Sequence, residues 1–340
     1  MNWMNPNNST RRKFLTRSSA LGVASLLGIG RSPAAGPAPE TTRIRFGYDP
    51  VICVAPMFLA EELLRAEGFT KIEYVRRQAD ETFPEMLLTG KADLGTVNTP
   101  SLMLAVDAGQ PIVMIAGSHV GCFELFANET VQAIRDLKGK RIAISGQGSG
   151  EHIYIASMLA YVGMDPRRDV QWINARTVPD SMRHFVEGKA DAFLGFPPQP
   201  QELRSKKVGH VIVNTTLDRP WSQYFCCMVA ARQEFARQYP IATKRALRAM
   251  LKATDICASQ PERAAHYLVT KGYEPHYDIA LEVVKSLPYR QWRDYQPEDT
   301  VRFHALRLYD AGMIKTNPKK LIAQGTDWRF LNELRQELKA

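Results

Sequence analysis

The chain has 340 residues, of which 45% are hydrophobic and 23% charged, a composition typical of a globular protein long enough for more than one core. Its net charge is +9, but residues 1–34 hold five basic and no acidic residues, so the rest carries only about +4. This weak charge, without a basic block, argues against nucleic-acid binding. Beyond the N-terminus, no apolar run approaches the roughly 18 residues of a membrane-spanning helix.

An export signal is predicted at residues 1–38. Arg11 and Arg12 are followed by Lys13, Phe14 and Leu15, which resembles the twin-arginine motif of proteins exported across the bacterial inner membrane. The apolar run at 20–29 is too short to span a membrane, and we expect cleavage between residues 32 and 38. The sequence therefore predicts a periplasmic protein that meets the twin-arginine translocase during export.

Strand and helix patterns alternate from residue 43 to 118. Strand patterns lie at 43–48, 71–77, 93–97 and 111–120, and helical patterns lie within 49–69, 80–92 and 98–109. Pro56 suits the first turn of a helix, and Gly68 suits its end. This alternation predicts a mostly parallel sheet covered by helices on both faces.

The same alternation restarts at about residue 137. Strand patterns lie at 141–145, 169–175, 191–196 and 210–216, with helical patterns at 151–164 and 179–190. Two strand-like segments, 121–128 and 221–231, flank this second block as crossings, and the chain from about 232 has mainly helical patterns. The sequence thus predicts two α/β lobes.

A repeated motif marks the two blocks: GKADLG starts at Gly90 and GKADAFLG at Gly188. We expect both glycines to end helices in a left-handed conformation and Asp93 and Asp191 to start strands. The loops that follow strands in such sheets bind ligands. Four such loops, 49–56, 98–101, 145–152 and 195–199, are expected to face one another across a crevice.

The glycine-rich turn SGQGSG has the clearest chemistry among these loops. Its glycines let backbone N–H groups approach an anion, and the helix that follows adds a partial positive charge. Glu151 in the first helical turn weakens a plain anion site, and the turn lacks the ending of a nucleotide-binding P-loop. The candidate ligand contacts from the four loops and the hinge are Cys53, Ala55, Pro56, Asn98, Thr99, Ser145, Gly146, Gln147, Gly148, Ser149, His152, Phe196, Pro197 and Trp221.

Several of these candidates have an equally ordinary structural explanation. Asn98 and Thr99 could cap a helix instead of binding a ligand. His152 could be a solvated helix residue, and Trp221 near the hinge could serve packing alone. Phe196 and Pro197 suit a rigid apolar wall.

The five cysteines are Cys53, Cys122, Cys226, Cys227 and Cys257. An odd number leaves at least one free thiol in an oxidising compartment, and because no CxxC pair is present we expect no metal site. Adjacent Cys226 and Cys227 lie in an apolar strand pattern as small buried side chains. A disulfide from Cys122 to either of them remains open.

Together, Ala55-Pro56, the repeated GKAD motif and the segment 137–170 resemble the periplasmic substrate-binding proteins of ABC transporters, in the family that handles nitrate, taurine and alkanesulfonates. The same superfamily includes binding proteins for thiamine-pyrimidine precursors, and the resemblance covers nearly all of residues 43–339. It implies an α/β, two-lobed type II periplasmic binding protein, a hinged clamp with two interlobe crossing strands and C-terminal helices. Lobe one would comprise 43–122 plus 225–340, and lobe two 123–224.

The resemblance further implies a monomer that delivers its ligand to an ABC permease, with no cofactor and no catalytic residue. The family allows sulfonates, nitrate, bicarbonate, pyrimidines and aromatic acids. The four loops contain no Arg or Lys, so we expect an organic ligand with an anionic, sulfonate- or carboxylate-like head and an apolar body.

Two enzymatic functions are alternatives to this receptor. The fold also resembles the yeast-type thiamine-pyrimidine synthase, but FCCM at 225–228 is a poor match to its cysteine-rich iron-site motif, with two cysteines where that motif has more, and an export signal does not suit such an enzyme. An exported hydrolase is disfavoured because the chain has neither GxSxG nor HExxH.

Overall fold

The computed structural model describes residues 36–49, 51–78 and 81–339. Residues 1–35, which hold the twin-arginine pair and most of the predicted export signal, lie outside the described residues. Within the described ranges, no helix is both long and apolar enough to cross a membrane.

The first sheet is formed by five strands: β1 (Arg43–Tyr48), β2 (Lys71–Arg76), β3 (Leu94–Asn98), β4 (Ile112–Val120) and β10 (Phe225–Arg232). Their order is β2-β1-β3-β10-β4. β1 pairs in parallel with β2 and β3, whereas β10 is antiparallel to both β3 and β4. All nine residues of β4 are buried, as expected for a strand covered on both faces.

The second sheet repeats this plan. Its strands are β5 (Glu124–Ala127), β6 (Arg141–Ile144), β7 (Gln171–Asn174), β8 (Ala192–Gly195) and β9 (His210–Asn214). Their order is β7-β6-β8-β5-β9, with β5 antiparallel to β8 and β9. The predicted two-lobed α/β architecture is confirmed.

Each sheet thus contains one antiparallel strand, which the prediction of a mostly parallel sheet did not identify. In both sheets it is the strand that directly follows a crossing: β5 follows β4, and β10 follows β9. At this point the chain comes from the other sheet. The strand that it forms first therefore runs opposite to the parallel strands of the sheet that it joins. The exact lobe boundaries, 43–122 plus 225–340 and 123–224, stay a prediction.

Helices cover the sheets and form most of the C-terminal part. Up to β10 they are α1 (Ala55–Leu59), α2 (Glu61–Ala66), α3 (Phe83–Leu88), α4 (Thr99–Asp107), α5 (Gly150–Tyr161), α6 (Val178–Val186) and α7 (Gln199–Lys206). After β10 they are α8 (Gln233–Gln238), α9 (Pro240–Ser259), α10 (Pro261–Thr270), α11 (Tyr277–Ser286), α12 (Pro297–Asp310), α13 (Pro318–Gly325) and α14 (Arg329–Glu337). Proline at the first position of α9 and α10 separates helices within one continuous apolar pattern.

The repeated GKAD motif has the same structure in both sheets. Gly90 (φ +70°) and Gly188 (φ +72°) are left-handed, which confirms their predicted role at helix ends. Asp93 then accepts the backbone N–H of Arg45 at 3.0 Å and its guanidinium at 2.7 and 3.0 Å. The motif therefore ties the start of β3 to β1.

In the second sheet, Asp191 accepts the backbone N–H of Arg141 at 2.9 Å and its guanidinium at 2.8 and 3.1 Å. The carbonyl of Gly188 accepts a further bond from Arg141 at 3.1 Å. The hydrogen bonds from Arg141 hold the pKa of Asp191 below its usual value, against the opposing effect of burial. Both copies of the GKAD motif thus fix the register between neighbouring strands.

Candidate functional site

The N-terminal end of α4, which follows β3 of the first sheet, faces the N-terminal end of α5, which follows β6 of the second sheet. Asn98 caps α4, because its side-chain oxygen accepts the Ser101 N–H at 3.0 Å. Ser149 caps α5 in the same way, with the His152 N–H at 3.3 Å. A Cβ placed on Gly150 would lie only 2.7 Å from the amide nitrogen of Asn98. Residues predicted from different loops, Asn98 and Ser149, are thus brought together.

The glycine-rich turn folds onto its own helix. Ser145 donates its N–H to the buried carboxylate of Glu151 at 2.6 Å, and Gly148 donates to Nδ1 of His152 at 3.0 Å. Among the described residues, the N–H groups of Gly146 and Gln147 have no hydrogen-bond partner. The turn therefore offers fewer donors to an anion than its sequence suggests, and it already contains a carboxylate.

His152 is packed, not solvated. Its ring meets Trp172 edge-to-face at 4.6 Å, and burial lowers its pKa despite the opposing charge of Glu151. A neutral imidazole suits the bond that it accepts from Gly148.

Thr99 connects α4 to β10. Its buried hydroxyl lies 3.1 Å from the carbonyl oxygens of both Phe225 and Cys226. Cys53, Ala55 and Pro56 are buried where α1 begins. The carbonyl of Cys53 accepts a bond from Tyr289 at 3.0 Å.

An aromatic wall lies beside the second sheet. Phe123 contacts Phe196 edge-to-face at 5.8 Å and Tyr154 of α5 at 4.6 Å. Pro197 is buried next to Phe196. This is the apolar surface expected of the 195–199 loop.

Trp221 lies away from these loops. Its indole packs on Tyr161, at the C-terminal end of α5, with ring centroids 5.3 Å apart. Eleven residues of helix separate Tyr161 from Gly150, or about 16 Å at 1.5 Å per residue. Trp221 therefore contributes packing near the second crossing, and the structure does not bring it to the turn at 145–149.

One salt bridge connects the second sheet's helices to the C-terminal helices. Arg204 of α7 contacts Glu124 of β5 at 2.5 Å and Glu282 of α11 at 3.0 Å. α5 also packs against α12, where Tyr154 lies 5.4 Å from the ring of His304. Both ring nitrogens of His304 are buried, and neither has a hydrogen-bond partner in the described part of the chain. The sequence predicts no role for Tyr154 and His304, because each resembles an ordinary helix residue.

Four cysteines and one histidine gather where the two crossings meet. The ligand atoms of Cys53, His119 and Cys122 lie within 4.8 Å of one another, as do those of Cys122, Cys226 and Cys227. The Sγ atoms of Cys122 and Cys226 are 3.3 Å apart and those of Cys226 and Cys227 are 3.7 Å apart, so these thiols are free. The sequence had indicated only the proximity of Cys122 to Cys226 or Cys227.

Irregular backbone produces this cluster. Successive side chains of a regular strand point to opposite faces, but the register of β10 against β4 shifts on both sides of Cys227. Cys122 has a φ of +99°, which is uncommon for a residue with a side chain. These two features turn the thiols toward one another.

The thiol and imidazole groups of the cluster shift one another's pKa values. Hydrogen bonds from Cys122, Cys226 and Cys53 hold the pKa of the Cys227 thiol well below its usual value. Burial acts to lower the pKa of His119, but its combined interactions with Cys227 and Cys53, led by the negative charge of Cys227, outweigh burial and raise that pKa to about 10. Thiolate and imidazole groups at this spacing can hold a metal ion.

The chain matches the family model described as NMT1/THI5 like over residues 54–264. It is 23% identical over 295 residues to the nitrate/nitrite binding protein NrtA of Nostoc sp., covering 73% of this chain and 66% of that protein, slightly under two thirds of its length. It is also 23% identical over 275 residues to the 4-amino-5-hydroxymethyl-2-methylpyrimidine phosphate synthase THI13 of Saccharomyces cerevisiae, covering 75% of this chain and 76% of that protein.

The fold is similar to that of the alkanesulfonate-binding protein SsuA from Xanthomonas axonopodis pv. citri bound to MOPS. The TM-score is 0.69 at 18% identity, and the match covers 87% of this chain and all of that one.

Proposed function

Because the chain belongs to the NMT1/THI5-like family, we propose that it is the solute-binding component of an ABC importer. It would be exported by the twin-arginine translocase, bind a small solute between the two sheets in the periplasm, and deliver it to a permease. The similarity to the nitrate/nitrite binding protein and to the fold of the alkanesulfonate-binding protein supports this role, and the equal identity to THI13 keeps the synthase as the alternative.

The observation that carries the proposal is the contact between Asn98 and Gly150. It joins the starts of two helices, each of which carries a partial positive charge, although the caps Asn98 and Ser149 already accept one N–H group in each helix. A ligand held there would touch both sheets. Only a ligand that binds the closed state better than the open one can shift a hinged protein toward closure.

The chemistry of the site favours an organic anion. Helix starts and the N–H groups of Gly146 and Gln147 suit a sulfonate or carboxylate head. The carboxylate of Glu151 beside them disfavours a small, fully desolvated inorganic anion. Half-buried Phe196, which packs on buried Phe123, offers an apolar surface for the body of the ligand.

The test is thermal unfolding of the purified protein with alkanesulfonates including MOPS, nitrate, bicarbonate, pyrimidines and aromatic carboxylates. A compound at 100 times its dissociation constant stabilises a protein by about 2.7 kcal/mol, which gives a clear rise in Tm. We expect an organic sulfonate or carboxylate to give that rise. If no compound does, and the protein carries iron or turns over a pyrimidine precursor, the synthase alternative replaces the receptor.

Asn98→Asp provides a matched variant. Aspartate caps a helix as well as asparagine does, so α4 and the Tm without ligand should be preserved. The added negative charge between the two helix starts should weaken binding of the anion more than tenfold. Unchanged affinity would place the ligand elsewhere.

A further inference from the structure

A second site, separate from the solute site at Asn98 and Gly150, lies in the thiol cluster. The sulfur atoms are close enough to one another to share one metal ion. Thiolates about 2.3 Å from a tetrahedral metal ion lie about 3.8 Å from one another. The observed distances are 3.3 Å between Cys122 and Cys226 and 3.7 Å between Cys226 and Cys227.

A nitrogen ligand is also available. His119 is fully buried, and in the ladder of β4 and β10 it lies opposite Cys227. Its Nε2 has no hydrogen-bond partner among the described residues. A buried polar atom without a partner is unfavourable, and a metal ion would satisfy it.

The backbone geometry indicates that the cluster is a specific feature of the fold and not a chance grouping of buried cysteines. Ordinary buried cysteines need no particular orientation toward one another. Here the register shifts around Cys227 and the positive φ of Cys122 bring side chains together that regular strands would separate. Bulges and unfavourable φ values of this kind are concentrated at functional sites.

We propose that the cluster of Cys53, His119, Cys122, Cys226 and Cys227 binds one thiophilic metal ion with a filled d shell, Zn²⁺ or Cu⁺, through His119 and three of its four thiolates. Thiolates select these soft ions over Mg²⁺ or Ca²⁺. Three thiolates and one imidazole around Zn²⁺ match a common structural zinc set, and binding releases the thiol protons. The ion would connect the two crossings, since Cys122 and Cys226 lie on different ones.

The test measures bound metal in the purified protein after separate exposure to Zn²⁺ and Cu⁺, followed by removal of loosely bound ions. We expect one ion per chain for wild type, and loss of that ion in the double variant Cys122→Ser/Cys226→Ser, which leaves only Cys53, His119 and Cys227 in the cluster. Cys257→Ser is the matched control: Cys257 is equally buried, but it lies in α9 outside the cluster and should not affect binding.

Two measurements on wild type remain informative if a cluster variant does not fold. Bound Co²⁺ should give intense sulfur-to-cobalt charge-transfer absorption bands. Bound Zn²⁺ should slow the reaction of the cluster thiols with a thiol reagent during unfolding, whereas Cys257 should react as soon as the chain unfolds. No stoichiometric metal, a Cys122–Cys226 disulfide in the isolated protein, or iron in place of Zn²⁺ or Cu⁺ would each overturn the proposal. No solute is present in these experiments, so their outcome is independent of the receptor function.

Discussion

Arg45 donates its backbone N–H and two guanidinium bonds to the carboxylate of Asp93, and Arg141 repeats this pairing with Asp191 in the second sheet. The two pairs differ in burial: the side chain of Asp93 is 3% exposed and that of Asp191 is 14% exposed. The GKAD motif thus makes the same connection between strands at a buried position and at a more exposed one.

Asp93→Ala should therefore destabilise the fold more than Asp191→Ala. Removing one partner of a buried pair leaves an uncompensated charge, and since Arg45 keeps some exposure we expect a loss of about 2–3 kcal/mol. Arg141 is more exposed, so water can replace its partner. The stability lost in Asp191→Ala should therefore be clearly smaller. Urea unfolding of both variants measures the difference, and equal losses would contradict this explanation.

The Asn98–Gly150 contact predicts that a side chain at Gly150 will hinder closure. Gly150 does not have a positive φ, so Gly150→Val leaves the backbone of α5 unstrained. Its added atoms would meet the amide of Asn98 and keep the sheets apart. We expect weaker ligand affinity, a larger radius of gyration by small-angle X-ray scattering with ligand present, and a nearly unchanged Tm without ligand.

Gly146→Val is the control for this variant. Gly146 lies in the same turn, its φ is not positive, and a Cβ there would meet no atom of the residues that the structure describes within 4 Å. Because its N–H belongs to the proposed anion site, the readout for this variant is closure and not affinity: at saturating ligand its radius of gyration should fall as it does in wild type. If both variants stay open at saturating ligand, the turn itself is responsible and not the approach of α4 to α5.

The salt bridge from Arg204 to Glu282 predicts a small, salt-sensitive effect. Glu282 is 52% exposed, and exposed pairs contribute about 0–1 kcal/mol. Glu282→Gln should weaken ligand affinity less than about fivefold at low salt and not at all at high ionic strength. Titration calorimetry at two salt concentrations measures this. A large effect at both would mean that Glu282 contacts the ligand.

The sequence predicted the repeated elements because they depend on local rules. Left-handed Gly90 and Gly188, the cap at Asn98 and the alternation of strands and helices all follow from residue type and spacing. The antiparallel strands β5 and β10 did not follow, because their direction depends on which sheet the chain comes from.

The thiol cluster was predictable only in part. The separation of Cys53 from Cys226 in the sequence gave no reason to place them together. Strand periodicity would even direct Cys226 and Cys227 to opposite faces, and only the shifted register of β10 overrides it. The role of Glu151 as a partner of Ser145 likewise depends on how the turn folds back.

His304 gives a pH-dependent prediction. It is fully buried in α12, against Tyr154 of α5 and one turn from Arg307. Burial, reinforced by the charge of Arg307, lowers its pKa to about 3. An unfolded histidine has a pKa near 6.5. Between these values the unfolded chain binds the proton that the folded protein excludes.

Stability from His304 is therefore complete above about pH 6.5 and is lost as the pH falls toward 3, at about 1.4 kcal/mol per pH unit. At pH 5 the loss should reach about 2 kcal/mol relative to pH 7.5. His304→Gln cannot titrate, so the difference in unfolding free energy between wild type and variant should shrink by that amount at pH 5. Urea unfolding at both pH values cancels the common carboxylate titrations, and a difference that stays constant would mean that the imidazole is accessible to protons in the folded state.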